Sequence, residues 1–232
     1  METGALLADL SQFFKVVLVA VAALFPIVDP LSGAPFFLAA TSELSSEERR
    51  SVSSAVARYS FLLLLGSVLI GSYVLDFFGL SIAAVQVAGG LVVCGIAWSL
   101  LNSPSSSAPL VGRAPTGMER DDLSQRAFYP LTMPLTVGPG SISVAITLGA
   151  NPEHGARALA VTAAAHLVGV LLVALSVYLC YRYAEPMVRR LGPVGTGVII
   201  RLSAFILLCI GVQICWNGVH ALLLGAFQGA VR

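Results

Sequence analysis

Pro26-Ile27-Val28-Asp29-Pro30-Leu31-Ser32-Gly33-Ala34-Pro35 and Pro130-Leu131-Thr132-Met133-Pro134-Leu135-Thr136-Val137-Gly138-Pro139 carry three prolines at the same spacing. Leu31 matches Leu135, and Ser32 matches Thr136 in type. The chain has twelve prolines in 232 residues, so three in one register mark an internal repeat rather than a coincidence. Each stretch lies inside a long apolar segment. Proline removes a backbone donor and clashes with the preceding turn. Three in ten residues therefore exclude one straight helix. Unwound backbone at membrane depth is tolerated only where protein or a water-filled cavity satisfies it.

Composition places these segments in a membrane. Hydrophobic residues make up 57% of the chain and charged residues 11%, against about 25% charged in a soluble domain. A membrane helix needs about 20 mainly apolar residues. Six segments meet that length: Gln12–Thr41, Ser54–Phe77, Ile82–Leu101, Phe128–Leu148, Ala158–Tyr181 and Val198–Leu224. The stretch 102–127 is rich in Ser, Pro and charge and reads as an exposed loop. The fold class expected is an all-α polytopic membrane protein, a single domain of six spans.

The two halves, 12–101 and 128–224, each read as one broken helix followed by two regular ones. A weaker echo aligns Gln86-Val87-Ala88 with Arg201-Leu202-Ser203, and Cys94 with Cys209. Three spans per half is odd, so the second half lies upside down relative to the first. That is the inverted repeat common among secondary transporters.

Basic residues set the orientation. Loops after the first, third and fifth spans, with the helix ends that adjoin them, hold nine, at Arg49, Arg50, Arg58, Arg113, Arg120, Arg126, Arg182, Arg189 and Arg190. The other side holds three, Lys15, Arg157 and Arg232. The nine-to-three bias puts the first set in the cytoplasm and both termini outside. Glu2 and Asp9 with no early basic cluster make a poor secretory signal, so the first segment is expected to stay as a membrane helix.

Half-helices restarting near Gly33–Pro35 and Gly138–Ser141 would aim free N–H groups and positive dipole ends inward, which suits a carboxylate or another anionic group. The candidate solute-binding set is Asp29, Pro30, Ser32, Gly33, Thr136, Gly138, Gly140, Ser141 and Arg201. A pair of proline kinks that only shape the bundle is the alternative. An ionisable group at membrane depth is a functional candidate by default. Asp29 would hold a proton, a sodium ion or an ammonium group. Asp before Pro is also a good helix cap. Arg201 reads either as a partner for a carboxylate or as a side chain reaching toward the surface.

Those residues also resemble a known family. Leu24-Phe25-Pro26-Ile27-Val28-Asp29-Pro30, with Gly33 and Pro35, looks like the first signature of the MarC/SnatA family. Pro130-Leu131-Thr132-Met133-Pro134 and Gly138-Pro139-Gly140-Ser141-Ile142 look like its second. Ala88-Gly89-Gly90 and Arg201-Leu202 also fit. The resemblance implies a six-span inner-membrane protein of bacteria or archaea, with neutral amino acid transporters among its members. The family often has Asn where this chain has Asp29, and Arg where it has Gln86.

Other residues read plainly. His166 is expected to pack against a neighbouring helix. Gln213, Asn217 and His220 form one polar stripe on the sixth span. Cys94, Cys180, Cys209 and Cys215 have no metal spacing and read as small apolar residues. SSEERR, Ser45–Arg50, reads as a turn and a solvated helix start.

The function expected is secondary transport of small solutes, neutral amino acids in particular, driven by an H+ or Na+ gradient. No cofactor is implied, and no phosphate-binding GxxxxGK[ST] loop occurs. A passive channel, or a membrane protein with a non-transport role, is the alternative. An intramembrane enzyme lacks its GxSxG or HExxH motif. The partners are the bilayer and a small zwitterion. A net charge of +1 with no basic patch argues against nucleic acid. The oligomeric state is left open, homo-oligomer included.

Overall fold

A computed structural model describes residues 2–102, 123–150 and 156–230. Most of the predicted loop therefore lies outside the described residues, as does His154. The described chain is helical from end to end. The helices are α1 (Glu2–Val28), α2 (Pro30–Ala40), α3 (Ser46–Phe77), α4 (Ile82–Asn102), a single turn α5 (Leu123–Arg126), a wide π-helical segment (Ala127–Thr136), α6 (Pro139–Gly149), α7 (Ala156–Arg182) and α8 (Ala184–Ala230). Among the described residues, five helices are long and apolar enough to cross a membrane. The pair 123–136 and 139–149, bent by 73°, brings the number to six.

Local chemistry sets the boundaries. Ser45 accepts from the Glu48 N–H while Glu48 accepts from the Ser45 N–H, a reciprocal cap that starts α3. The α8 helix is broken at Gly192, whose φ of 65° a side chain would resist. Pro193 then restarts it. The membrane part of α8 thus begins after a short collar carrying Glu185, Arg189 and Arg190, which the sequence reading did not anticipate.

Two expectations need correction. The first predicted span, Gln12–Thr41, expected as one broken helix across the membrane, is a helix α1 long enough to cross alone and a shorter apolar helix α2 after it. The second helix begins at Pro30, not near Gly33–Pro35, because Asp29 leaves the helix and Pro30 takes the first helical position. The end of the predicted loop is also not a loop: Leu123–Arg126 already forms a turn leading into the π-helical segment.

The main core joins α1, α2, α3, the π-helical segment, α6 and α7 through Leu24, Phe37, Val56, Leu64, Val137, Val173 and Tyr181. The outer faces stay apolar, with Leu62, Ile70, Leu171, Phe205 and Val212 exposed. Lipid is as apolar as these side chains, so burial alone does not drive the helices together. Close backbone packing and hydrogen bonds do. The α4–α8 seam shows how. A Cβ on Gly90 would lie 2.7 Å from the Gly211 carbonyl oxygen and 2.6 Å from Cys215 Sγ. A Cβ on Gly211 would lie 3.0 Å from the Gly90 carbonyl oxygen and 2.7 Å from Cys94 Sγ. The Cys94 thiol approaches the Leu208 carbonyl, and the Cys215 thiol the Val87 carbonyl. The contacts are reciprocal, and they pair Cys94 with Cys215. Cys209, its partner in the sequence alignment, is exposed instead.

Two ion pairs close the ends of the bundle. Asp9 of α1 meets Arg157 of α7 at 2.5 Å. At the opposite end, Arg49 of α3 meets Glu185 of α8 at 2.9 Å.

Candidate functional site

Asp29 separates α1 from α2 in the left-handed conformation, φ 42° and ψ 61°. Asp is one of the few residues that adopt it, because its short side chain hydrogen-bonds locally. Here Oδ1 accepts from the Ser32 N–H at 3.3 Å. Pro30 offers no N–H to the carbonyl four residues back, so the ladder is interrupted at this point. From α8, Ser203 stands beside the carboxyl. Pro30, Ser32 and Gly33 are buried.

The second break is built from a tandem, Pro130-Leu131-Thr132 and Pro134-Leu135-Thr136. Each residue before a proline is pushed out of the helical region: Tyr129 has φ −124° and ψ 124°, Met133 φ −114° and ψ 119°. Both X–Pro bonds are cis. Each threonine hydroxyl then donates five residues back. Thr132 reaches the Ala127 carbonyl at 2.6 Å and Thr136 the Leu131 carbonyl at 2.7 Å. Side chains thus satisfy carbonyls in a segment where prolines supply no donors, as a buried backbone requires. Gly138 then caps α6 in an extended conformation, and Pro139 takes the first helical position. The Ser141 hydroxyl donates to the Gly138 carbonyl at 2.9 Å.

Both breaks converge on a residue that the sequence reading passed over. Tyr181, in the last turn of α7, is 1% exposed. Its ring stacks on Phe37 of α2, with centroids 4.5 Å apart and planes at 16°. Its hydroxyl lies 2.8 Å from Thr136 Oγ1. A Cβ on Gly33 would come within 2.6 Å of the same hydroxyl. No motif marks Tyr181. Its only sequence signal is a polar atom near the end of an apolar helix, which also describes an interface residue.

The remaining candidates divide. Gly140 packs against Val93 of α4, and Gly89 against Ser143, whose hydroxyl donates to the Val85 carbonyl at 3.0 Å. Gln86 donates to Thr147 at 3.3 Å. This face of α6 is therefore a helix-packing face. Arg201 is exposed. It stands two residues before Ser203, roughly 200° around the helix, so the side of α8 that meets Asp29 is not the side that bears Arg201. His166 is buried in α7. Gln213, Asn217 and His220 are exposed, and Gln213 donates to Asn217 at 2.9 Å. That stripe lies on the outside of α8. Among the described residues no cluster of three His, Cys, Asp or Glu stands ready for a metal.

Comparison with known proteins agrees on one family. The model described as MarC family integral membrane protein matches residues 14–223. The inner membrane protein MarC of Salmonella arizonae is 30% identical over 212 residues, covering 90% of this chain and 96% of that protein. Its Citrobacter koseri counterpart is likewise 30% identical, with the same coverage. A membrane protein of Archaeoglobus fulgidus is 29% identical over 210 residues, covering 90% and 95%. No solved structure matches the chain.

Proposed function

Because the chain belongs to the MarC family of integral membrane proteins, we propose that it is an inner-membrane secondary transporter of small neutral amino acids, coupled to an ion gradient. One observation carries this reading: the chain leaves helical geometry at Asp29 and again at Val137–Gly138, and one buried side chain, Tyr181, lies against both places. Broken helices that meet inside a bundle are the usual makings of a transporter's solute site.

The helix start at Pro139 presents N–H groups that suit the carboxylate of a zwitterion, whereas at Pro30 the Ser32 N–H is already taken by Asp29. Asp29 suits its ammonium group or the coupling ion. Thr136 and the first turns of α2 and α6 complete the proposed set. Arg201 falls outside it, given its place on α8. Two inverted halves would rock against each other around this point. The reciprocal Gly90–Gly211 and Cys94–Cys215 packing supports that symmetry.

The test is counterflow. Protein reconstituted in liposomes preloaded with unlabelled glycine or alanine should accumulate the labelled amino acid saturably and above empty liposomes. A passive pore would show neither saturation nor counterflow. Absence of counterflow across a panel of neutral amino acids would remove the substrate assignment.

A further inference from the structure

Tyr181 does more than fill space. A buried phenol keeps its hydroxyl partnered, and the direction of this bond can be assigned. Thr136 Oγ1 lies 2.7 Å from the Leu131 carbonyl oxygen, which can only accept. The threonine therefore spends its own hydrogen there, and Tyr181 donates to Thr136. The result is a chain from Tyr181 through Thr136 to the carbonyl that follows Pro130. On its other side the same hydroxyl faces Gly33, and the ring lies flat on Phe37. In the register set by the three matched prolines, Ser32 corresponds to Thr136 and Gly33 to Val137. One side chain from α7 thus touches the matched position of one break and the next residue of the other. Gly33 and Thr136 follow Pro30 and Pro134 by three and two residues, and each of those prolines lacks a backbone donor.

We propose that Tyr181 is the positioning residue that latches the two broken helices together, and that its bond to Thr136 opens and closes as the path between them opens and closes. The latch rests on the transporter reading for its purpose, not for its existence. Gly33 is part of the device. Any side chain there displaces the hydroxyl, because a Cβ would meet the oxygen at 2.6 Å and the nearest ring carbons only at 3.3 Å.

Cys180, half-buried and next in the chain, is a native reporter of opening. The experiment treats purified protein in liposomes with N-ethylmaleimide and follows each cysteine by peptide mass spectrometry. Tyr181→Phe keeps the ring and its stacking and deletes only the hydroxyl. It should raise the Cys180 alkylation rate about three- to tenfold, the shift that losing one hydrogen bond allows. Cys94 and Cys215, in the α4–α8 seam, should not change. Gly33→Ala should act in the same direction. Adding Tyr181→Phe to it should bring little further effect, since the same contact is already lost. In counterflow, Tyr181→Phe should alter the maximal rate while half-saturation stays within about twofold. A wild-type Cys180 rate in Tyr181→Phe overturns the latch, and so does an equal rise at Cys94 and Cys215. If wild-type protein gives no counterflow with any neutral amino acid, the substrate assignment fails, and Cys180 reactivity alone decides the latch.

Discussion

Arg49 and Glu185 stand 136 residues apart in the chain and 2.9 Å apart in the structure. The contact is one of three that the guanidinium makes. Arg49 also donates to the carbonyls of Thr41, at 3.2 Å, and Leu44, at 3.4 Å. The Thr41 carbonyl caps the end of α2, and the Leu44 carbonyl closes the turn just before the α3 cap, Ser45. A single side chain thus ties the end of the first broken helix to the collar of α8. The SSEERR stretch reads in sequence as a solvated face. For Arg49 that is wrong, because its side chain is 17% exposed.

The three contacts differ in worth, which gives a first prediction. The Glu185 side chain is 57% exposed, so the ion pair itself contributes at most about 0.2–1 kcal/mol. The carbonyls are part-buried, and losing their donor costs about 1–3 kcal/mol. Glu185→Gln should therefore barely move the thermal midpoint in detergent, whereas Arg49→Ala should lower it clearly. Equal shifts would mean that the carbonyl contacts contribute nothing.

The helix seam gives a second prediction with its own control. Gly90→Ala pushes a methyl group into the Gly211 backbone and should destabilise by about 1–3 kcal/mol. Gly95 lies on the same helix with nothing within 4 Å of its Cβ position. Gly95→Ala should be neutral or stabilising by about 0.5–1 kcal/mol. Thermal unfolding of the two variants separates packing from helix propensity. Similar behaviour would contradict the close approach of α4 and α8.

Asp29 has a structural and a proposed functional role, and two substitutions separate them. Asn tolerates the left-handed conformation and still accepts from the Ser32 N–H. Asp29→Asn should fold like wild type. Asp29→Ala loses the cap and strains the φ of 42°, at a cost of about 2–3 kcal/mol. On the proposed reading, Asp29→Asn keeps counterflow but no longer concentrates solute against an imposed pH or Na+ gradient. Unchanged gradient-driven uptake in this variant would leave the carboxylate as a cap only.

Two helix starts were legible in the sequence because proline acts locally. Pro30 and Pro139 each take a first helical position, whereas Pro26 and Pro35 lie inside α1 and α2. The convergence of the breaks was not legible. Tyr181 reaches Gly33 and Thr136 only through the packing of α7 on α2 and the π-helical segment, and no spacing encodes that. The restart at Pro30 rather than near Gly33 was missed for a smaller reason. Asp29 absorbs the whole change of direction in one left-handed residue. The pairing of Cys94 with Cys215 escaped because a four-residue Gly-to-Cys spacing is weak until two helices cross on it.

Orientation is the last prediction. The ion pairs state which residues share an end. Arg49 and Glu185 lie together, and Asp9 and Arg157 lie together at the other end. This grouping matches the alternation of loops expected for six spans, but it does not say which end faces the cytoplasm. The basic bias does, at nine against three. Two of the nine, Arg113 and Arg120, belong to residues 103–122, outside the described chain. Arg232, one of the three, lies outside it too, and with all of these set aside seven still stand against two. Ser42, in the turn before α3, and Leu80, in the turn before α4, are both exposed and lie at opposite ends of α3. In protein whose four native cysteines are replaced by serine, a membrane-impermeant maleimide should label Leu80→Cys in intact cells. It should reach Ser42→Cys only after the membrane is permeabilised. The reverse pattern would turn the molecule over, placing the Arg49–Glu185 pair and the arginine-rich collar of α8 outside, against the charge bias. Labelling of both in intact cells would break the alternation itself, and with it the count of six spans.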